Sequence, residues 1–134
     1  MNKDTTILIV DDVPKNIQMA MSILKNEGYN MLFSQSGEAA LSIIKDNDID
    51  LILLDIMMPE LNGFEVCELL KKDENTKEIP IVFLSGKDST EDVEHAFEIG
   101  GLDYILKPFI NIELITKVKT FTRLQKLEKL YKIA

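Results

Sequence analysis

Residues 51–54 read Leu-Ile-Leu-Leu, a run of four large aliphatic side chains that ends directly at Asp55. Such a short and uninterrupted apolar run is typical of a parallel strand that helices cover on both faces, because neither face then meets water. The run therefore predicts a parallel sheet inside an α/β protein.

The same strand-then-helix pattern occurs five times along the chain. Each short apolar run is followed by apolar residues at helical spacing, and Gly, Pro, Asn or Asp separates the units. The predicted strands cover Thr6 to Val10, Tyr29 to Phe33, Leu51 to Leu54, Pro80 to Leu84 and Leu102 to Leu106, and the last helix runs from Asn111 to about Lys132. Five such units predict a doubly wound (βα)5 sandwich.

Length and composition indicate one domain. The chain has 134 residues, of which 46% are apolar, and this is enough for one self-sufficient core but not for two. The longest apolar runs are far shorter than the roughly 20 residues of a membrane span. A single cysteine and the lack of a secretory leader pattern indicate a cytoplasmic protein without internal disulfides.

The charges are unevenly distributed. The net charge is -8, but residues 115–134 carry +5 and the rest of the chain carries -13. A body this acidic repels phosphate backbones, so we expect no direct nucleic-acid binding. We interpret the basic residues of the last helix as a solvated helix face.

Chemically active side chains follow four of the predicted strands. They are Asp11-Asp12, Asp55, Ser85-Gly86 and Lys107-Pro108. Ligands of an open parallel sheet bind at the carboxyl ends of its strands, so these groups are expected to meet there. Two carboxylates about 4 Å apart repel by on the order of 4 kcal/mol at an effective dielectric of 20, so three of them favour a hard divalent cation such as Mg²⁺.

A cation held by carboxylates beside a lysine forms one half of a phosphoryl-transfer centre. Asp55, on the middle strand, is best placed as the nucleophile, and Lys107, Ser85 and the Gly86 N–H would neutralise the phosphoryl oxygens. The alternative is that the aspartates only cap turns and helices, as Asp often does. The concentration of titratable groups in one cleft favours the functional interpretation.

These residues resemble the receiver domain of two-component response regulators over about residues 5–125. The resemblance rests on Asp11-Asp12, the stretch from Leu53 to Gly63, Ser85-Gly86 and the stretch from Asp103 to Pro108. The spacings also match, with 43 residues from Asp12 to Asp55, 30 to Ser85 and 22 to Lys107. The resemblance implies a flavodoxin-like sheet of five parallel strands in the order 2-1-3-4-5.

The resemblance also implies a role for each site residue. Asp55 would accept a phosphoryl group from a histidine kinase or a histidine phosphotransfer protein. The expected ligands of Mg²⁺ or Mn²⁺ are Asp11 (largely through water), Asp12, Asp55 and the backbone carbonyl of Met57. Ser85, Gly86 and Lys107 would bind the phosphoryl group, and the peptide bond before Pro108 is expected to be cis.

A switch follows from the charge that phosphorylation adds. Ser85 would move toward the phosphoryl group, and Tyr104 would enter the space that Ser85 leaves. The expected readout is the face made by the fourth helix, the fifth strand and the fifth helix. The chain would then be a phosphorylation-dependent switch and not an enzyme, with only its own phosphotransfer and autodephosphorylation as catalysis.

The domain division and the partners are predictions of the same kind. Residues 1–125 form the expected receiver domain, and residues 126–134 extend its last helix as a possible linker. Leu124, Leu127 and Tyr131 have coiled-coil spacing, so a homodimer could form through this helix or through the readout face. The downstream effector stays open, as does the choice between a stand-alone receiver and the front part of a longer chain.

Two other functions use similar features. A Mg²⁺-dependent phosphohydrolase of the haloacid-dehalogenase type also has a strand-end Asp nucleophile, but it needs a second Asp two residues later, where this chain has Met57. A flavodoxin-type FMN carrier holds phosphate in a loop after its first strand, and Asp11-Asp12 would repel that phosphate. Both alternatives are therefore disfavoured.

Overall fold

The computed structural model describes residues 3–86 and 90–133 of the chain, and within these ranges strands and helices alternate. The strands are β1 (Thr6–Val10), β2 (Asn30–Ser34), β3 (Leu51–Asp55), β4 (Ile81–Ser85) and β5 (Asp103–Leu106). The helices are α1 (Pro14–Leu24), α2 (Gly37–Asp46), α3 (Gly63–Lys72), α4 (Thr90–Glu98) and α5 (Asn111–Ile133), and a short 3₁₀ turn (Lys25–Glu27) follows α1.

The five strands form one parallel sheet in the order β2-β1-β3-β4-β5. The predicted fold and strand order are therefore confirmed. Strands β2, β4 and β5 begin one residue later than predicted, and β3 extends by one residue to include Asp55. Val10 pairs with Leu54, Asp55 with Leu84, and Ser85 with Leu106, so the carboxyl ends of these four strands lie along one edge of the sheet.

Two apolar cores cover the two faces of the sheet. Side chains alternate across each strand, so Ile52 and Leu54 of β3 belong to one core while Leu51 and Leu53 belong to the other. All four residues of the 51–54 run are fully buried, as expected for a strand covered on both sides. Burial of each such side chain contributes roughly 1.5–3 kcal/mol, and the central strand is therefore firmly held.

A capping box sets the start of α3 beside the end of β3. The Asn62 side chain accepts from the Glu65 N–H at 2.9 Å, and the Glu65 carboxylate accepts from the Asn62 N–H at 3.0 Å. Gly63 follows directly, where a Cβ atom would lie 2.2 Å from the backbone oxygen of Asp55. Glycine is thus required there because the helix begins against the backbone of the functional strand.

The basic residues of α5 largely pair with the acidic body. Among the described residues, four of its six bases form ion pairs with carboxylates outside α5: Lys117 with Asp103, Lys119 with Glu27, Lys129 with Asp50, and Lys132 with Glu78. Lys119, Lys129 and Lys132 stay exposed to solvent while they form these pairs, so the expected solvated basic face is present and also makes contacts with the acidic body. The opposite signs of helix and body are brought together by the fold, so the uneven charge distribution has a structural reason.

Helix α5 ends at Ile133, and Ala134, the last residue of the predicted extension of residues 126–134, lies outside the described residues. None of the helices in the described ranges has the length and apolar content needed to cross a membrane.

Candidate functional site

Three aspartates meet at the carboxyl edge of the sheet. Asp11 and Asp12 follow β1, and Asp55 is the last residue of the adjacent strand β3. One carboxylate oxygen from each lies within 4.8 Å of the others. The side chains of Asp11 and Asp55 are 0% and 3% exposed, so the cluster is mostly shielded from water.

Lys107 reaches this cluster from the end of β5. Its Nζ atom donates to Asp55 Oδ1 at 3.0 Å and to Asp11 Oδ2 at 3.2 Å. Its backbone N–H donates to the Ser85 carbonyl at 2.7 Å, and the Lys107–Pro108 peptide bond is cis. The lysine is therefore held at both ends, by β4 at its backbone and by two carboxylates at its ammonium group.

The other oxygen of Asp11 is bound within the loop that follows β1. Asp11 Oδ1 accepts from the Val13 N–H at 2.9 Å and from Asn16 Nδ2 at 3.4 Å. These bonds fix the orientation of the Asp11 carboxylate. Asn16 is not among the residues predicted from the sequence, although an amide two residues into a helix that follows an Asp pair is a signal for such a contact.

Burial and the neighbouring charges shift the pKa values of Asp55 and Lys107. Burial, followed by the Asp11 charge and the hydrogen bond with Asp12, raises the pKa of Asp55 from 3.8 to about 7, although Lys107 opposes the change. For Lys107, burial lowers the pKa, but its contacts with Asp55 and Asp11 outweigh burial and raise it above its ordinary value. Lys107 is therefore a cation at neutral pH.

A divalent cation would compensate the excess negative charge of the cluster. With all three carboxylates ionised, the single charge of Lys107 leaves two negative charges uncompensated in a shielded site. The donors are all oxygen atoms, which Mg²⁺ and Mn²⁺ prefer. Met57, whose carbonyl the resemblance adds to the ligands, has an exposed side chain and lies two residues beyond Asp55.

The residues around the cluster differ in exposure and backbone conformation. Ser85 is buried at the end of β4, whereas Gly86 is exposed and a Cβ atom there would meet no atom of the described residues within 4 Å. Glu60, in the loop before α3, has φ +65°, a conformation that is uncommon for a residue other than glycine and that often accompanies functional loops.

Tyr104 joins three elements beside the site. It pairs with Phe83 in the sheet, and Phe83 lies two residues before Ser85, so Tyr104 and Ser85 point to the same face. The Tyr104 ring makes an edge-on contact with Phe97 of α4, with centroids 6.5 Å apart. Lys117 of α5 lies 5.4 Å from the centre of the ring and donates to the Tyr104 carbonyl at 2.8 Å.

The structure thus brings together most of the predicted site residues. Asp11, Asp12, Asp55 and Lys107 lie in direct contact or within one cluster. Ser85 lies on the strand next to Asp55, and its carbonyl holds the backbone of Lys107. Tyr104 lies one strand further away, on β5.

Comparison with known proteins gives matches to one family. Residues 7–119 match the model of the response regulator receiver domain. The chain is 45% identical over 120 residues to a probable cyclic di-GMP phosphodiesterase of Vibrio cholerae, covering 90% of this chain and 26% of that protein. It is 39% identical to the transcriptional regulatory protein YvrH of Bacillus subtilis, covering 87% of this chain and 48% of that protein.

Solved structures agree with the sequence matches. A putative response regulator from Chloroflexus aurantiacus is 33% identical, with a TM-score of 0.85 over 89% of this chain and 98% of that one. The chemotaxis protein CheY4 of Vibrio cholerae is 26% identical, with a TM-score of 0.82 over 87% of this chain and 98% of that one. The chain spans about a quarter to a half of the length of the curated relatives it matches.

Proposed function

Because this chain belongs to the response regulator receiver domains of bacterial two-component systems, we propose that its switch is set by phosphorylation of Asp55. The family match supports a phosphorylation-dependent signalling switch over the phosphohydrolase and the flavin carrier. The observation that carries the assignment is the buried Asp55 carboxylate, which lies beside Asp11 and Asp12 and is paired with Lys107.

The chemistry follows from these contacts. An Asp55 oxygen attacks the phosphorus of a phosphohistidine, the P–N bond breaks, and the electron pair leaves with the imidazole, which is then protonated. Lys107, the Ser85 hydroxyl and the Gly86 N–H would stabilise the phosphoryl oxygens. Asp11 through water, Asp12, Asp55 and the Met57 carbonyl would hold Mg²⁺ or Mn²⁺, which supplies charge neutralisation for the phosphoryl group.

The switch uses contacts at the neighbouring strands. A phosphoryl group on Asp55 attracts the Ser85 hydroxyl, and Tyr104, which points to the same face, moves toward the vacated space. Its contacts with Phe97 and Lys117 carry this change to α4 and α5. Reversing a 1:99 equilibrium needs about 5.5 kcal/mol, which a few charge-assisted hydrogen bonds can supply.

Receiver domains of response regulators interact with histidine kinases and with output effectors. We expect the donor to be a histidine kinase or a histidine phosphotransfer protein, and the readout surface to be the α4-β5-α5 face. Receiver chemistry here is limited to self-catalysed phosphotransfer and autodephosphorylation. The cytoplasmic location, the receiver and extension boundaries at residue 125, and self-association through α5 or the α4-β5-α5 face remain predictions.

Phosphorylation by a small phosphodonor tests the proposal. With acetyl phosphate and Mg²⁺, mass spectrometry should detect one added phosphoryl group on the parent chain and none on Asp55→Asn. Asp48→Asn is the matched control, because Asp48 is exposed and lies outside the site. If Asp55→Asn is labelled as readily as Asp48→Asn, the assignment of the phosphoacceptor is wrong.

A further inference from the structure

Helix α5 carries a second apolar stripe, separate from the face that packs on the sheet. Its buried residues are Leu114, Val118, Thr122 and Gln125. Leu124, Leu127 and Tyr131 are 47%, 52% and 83% exposed and recur at intervals of three and four residues. This is the spacing of a coiled-coil seam. We infer that this stripe pairs in parallel with the same stripe of a second copy of the chain.

Contacts on the inner side of the helix hold Leu127 and Tyr131 outward. Lys129 pairs with Asp50 at 2.9 Å, and Lys132 pairs with Glu78, so two loops of the body hold the end of α5. At about 100° per residue, Lys129 points roughly 160° away from both Leu127 and Tyr131. The seam is therefore presented on a helix whose opposite side is already bound.

Charge complementarity selects the second copy and the parallel direction. With Leu124 and Leu127 at positions a and d, Arg123 occupies g and Glu128 occupies e. In a parallel pair, position g of one helix faces position e of the following heptad on the other helix. Arg123 of each copy therefore faces Glu128 of the other copy, which gives two ion pairs. Within residues 3–86 and 90–133, neither Arg123 nor Glu128 forms an ion pair in its own chain.

An antiparallel pairing fits less well. If Leu124 of one copy lay against Tyr131 of the other, the two Glu128 residues would face each other across the two-fold axis. The two Glu128 carboxylates would repel each other, and Arg123 would lose its acidic partner. The parallel pairing is the one in which the apolar seam and the flanking charges agree.

Charge exchange tests this pairing directly. The seam is short, so dissociation constants should be measured by sedimentation over the widest accessible concentration range, without a phosphodonor. Arg123→Glu and Glu128→Arg should each weaken dimerisation by about fivefold, since two attractive pairs become repulsive. The double variant should return to within about twofold of the parent chain, because both pairs are restored with reversed sign.

Disulfide trapping tests the direction. Leu124→Cys and Tyr131→Cys should each crosslink to itself under mild oxidation, because equivalent a positions face each other in a parallel pair. Crosslinking only when the two variants are mixed would instead show an antiparallel pair and overturn the proposal. Ser42→Cys, at an exposed position of α2, reports random collision. The native Cys67 is fully buried and does not interfere.

Two further results would reject the pairing. A parent chain that stays monomeric at its solubility limit has no such surface. A dimer that Phe97→Glu breaks and Leu127→Glu leaves intact uses the α4-β5-α5 face, because Phe97 lies on α4 and is exposed there. The pairing depends on α5 and not on the chemistry of Asp55, so its failure leaves the proposed phosphorylation unaffected, and the converse also holds.

Discussion

Lys107 Nζ lies 3.0 Å from Asp55 Oδ1, although 52 residues separate the two in sequence. The contact crosses from the end of β5 to the end of β3, over the strand β4 that lies between them. Because the same ammonium also binds Asp11, Lys107 is the group that would sense a change of charge on Asp55. Its backbone contact with Ser85 ties this change to the neighbouring strand.

Lys107→Ala is expected to separate phosphorylation from the switch. The nucleophile and the expected metal ligands remain, so acetyl phosphate and Mg²⁺ should still label Asp55. The phosphate-dependent NMR chemical-shift changes around Tyr104 and along α4 should become much smaller, because the ammonium no longer links the phosphoryl group to β5. Shifts as large as those of the parent chain would show that Lys107 takes no part in the switch.

Mg²⁺ should bind to the acidic cluster with measurable heat. In a calorimetric titration, Asp12→Asn should weaken binding by at least about tenfold, the equivalent of roughly 1.4 kcal/mol, because one anionic ligand is lost. Asp48→Asn should bind as the parent chain does, since Asp48 lies outside the cluster. Equal affinity in Asp12→Asn would remove this residue from the metal site.

The raised pKa of Asp55 makes the metal-free protein less stable as the pH rises. Below about pH 4 the carboxyl group is protonated in both states, whereas between 3.8 and about 7 only the unfolded state is ionised, which favours unfolding. This effect is at most about 4 kcal/mol. In EDTA, Asp55→Asn should lose this part of the pH dependence and be more stable than the parent chain at pH 7.5, as urea unfolding would show.

A steeper or unchanged fall in the stability of Asp55→Asn over the same pH range would contradict this explanation. Adding Mg²⁺ should raise the stability of the parent chain at pH 7.5 more than that of Asp55→Asn, because the cation compensates the carboxylates.

The two glycines at the site should respond very differently to alanine. Gly63→Ala should destabilise the protein by about 2–4 kcal/mol, because its Cβ would lie 2.2 Å from the Asp55 backbone oxygen and force β3 and α3 apart. Gly86→Ala is the matched control and should stay within about 0.5 kcal/mol of the parent chain, because within the described part of the chain nothing lies within 4 Å of a Cβ atom there. Denaturant unfolding measures both, and equal costs would refute the close contact.

Much of the fold could be predicted from short segments. The 51–54 run predicted a doubly covered parallel strand, and all four residues are fully buried. The end of β3 differs from the predicted one by one residue, since Asp55 is the last residue of the strand and does not follow it. A carboxylate normally argues against a strand interior, but here pairing with Leu84 and the contact with Lys107 override that local preference.

The charges of α5 show why other features could not be predicted. Locally, six bases on one helix indicate a solvated face, and the sequence contains no sign that Asp50 and Glu78 lie beside its end. Long-range pairs such as Lys129 with Asp50, 79 residues apart, depend on how helices pack on a finished sheet.

The amino-acid sequence by itself determined the order of strands and helices and placed acidic and basic side chains at the strand ends, because apolar periodicity and turn residues act over a few neighbours. Only the tertiary structure decided which oxygen of Asp11 meets Lys107 and that Asn16 holds the other one. It also decided that Asp55 is buried enough to shift its pKa. The physical reason is that distances and desolvation at the site are set jointly by strands that are remote in sequence.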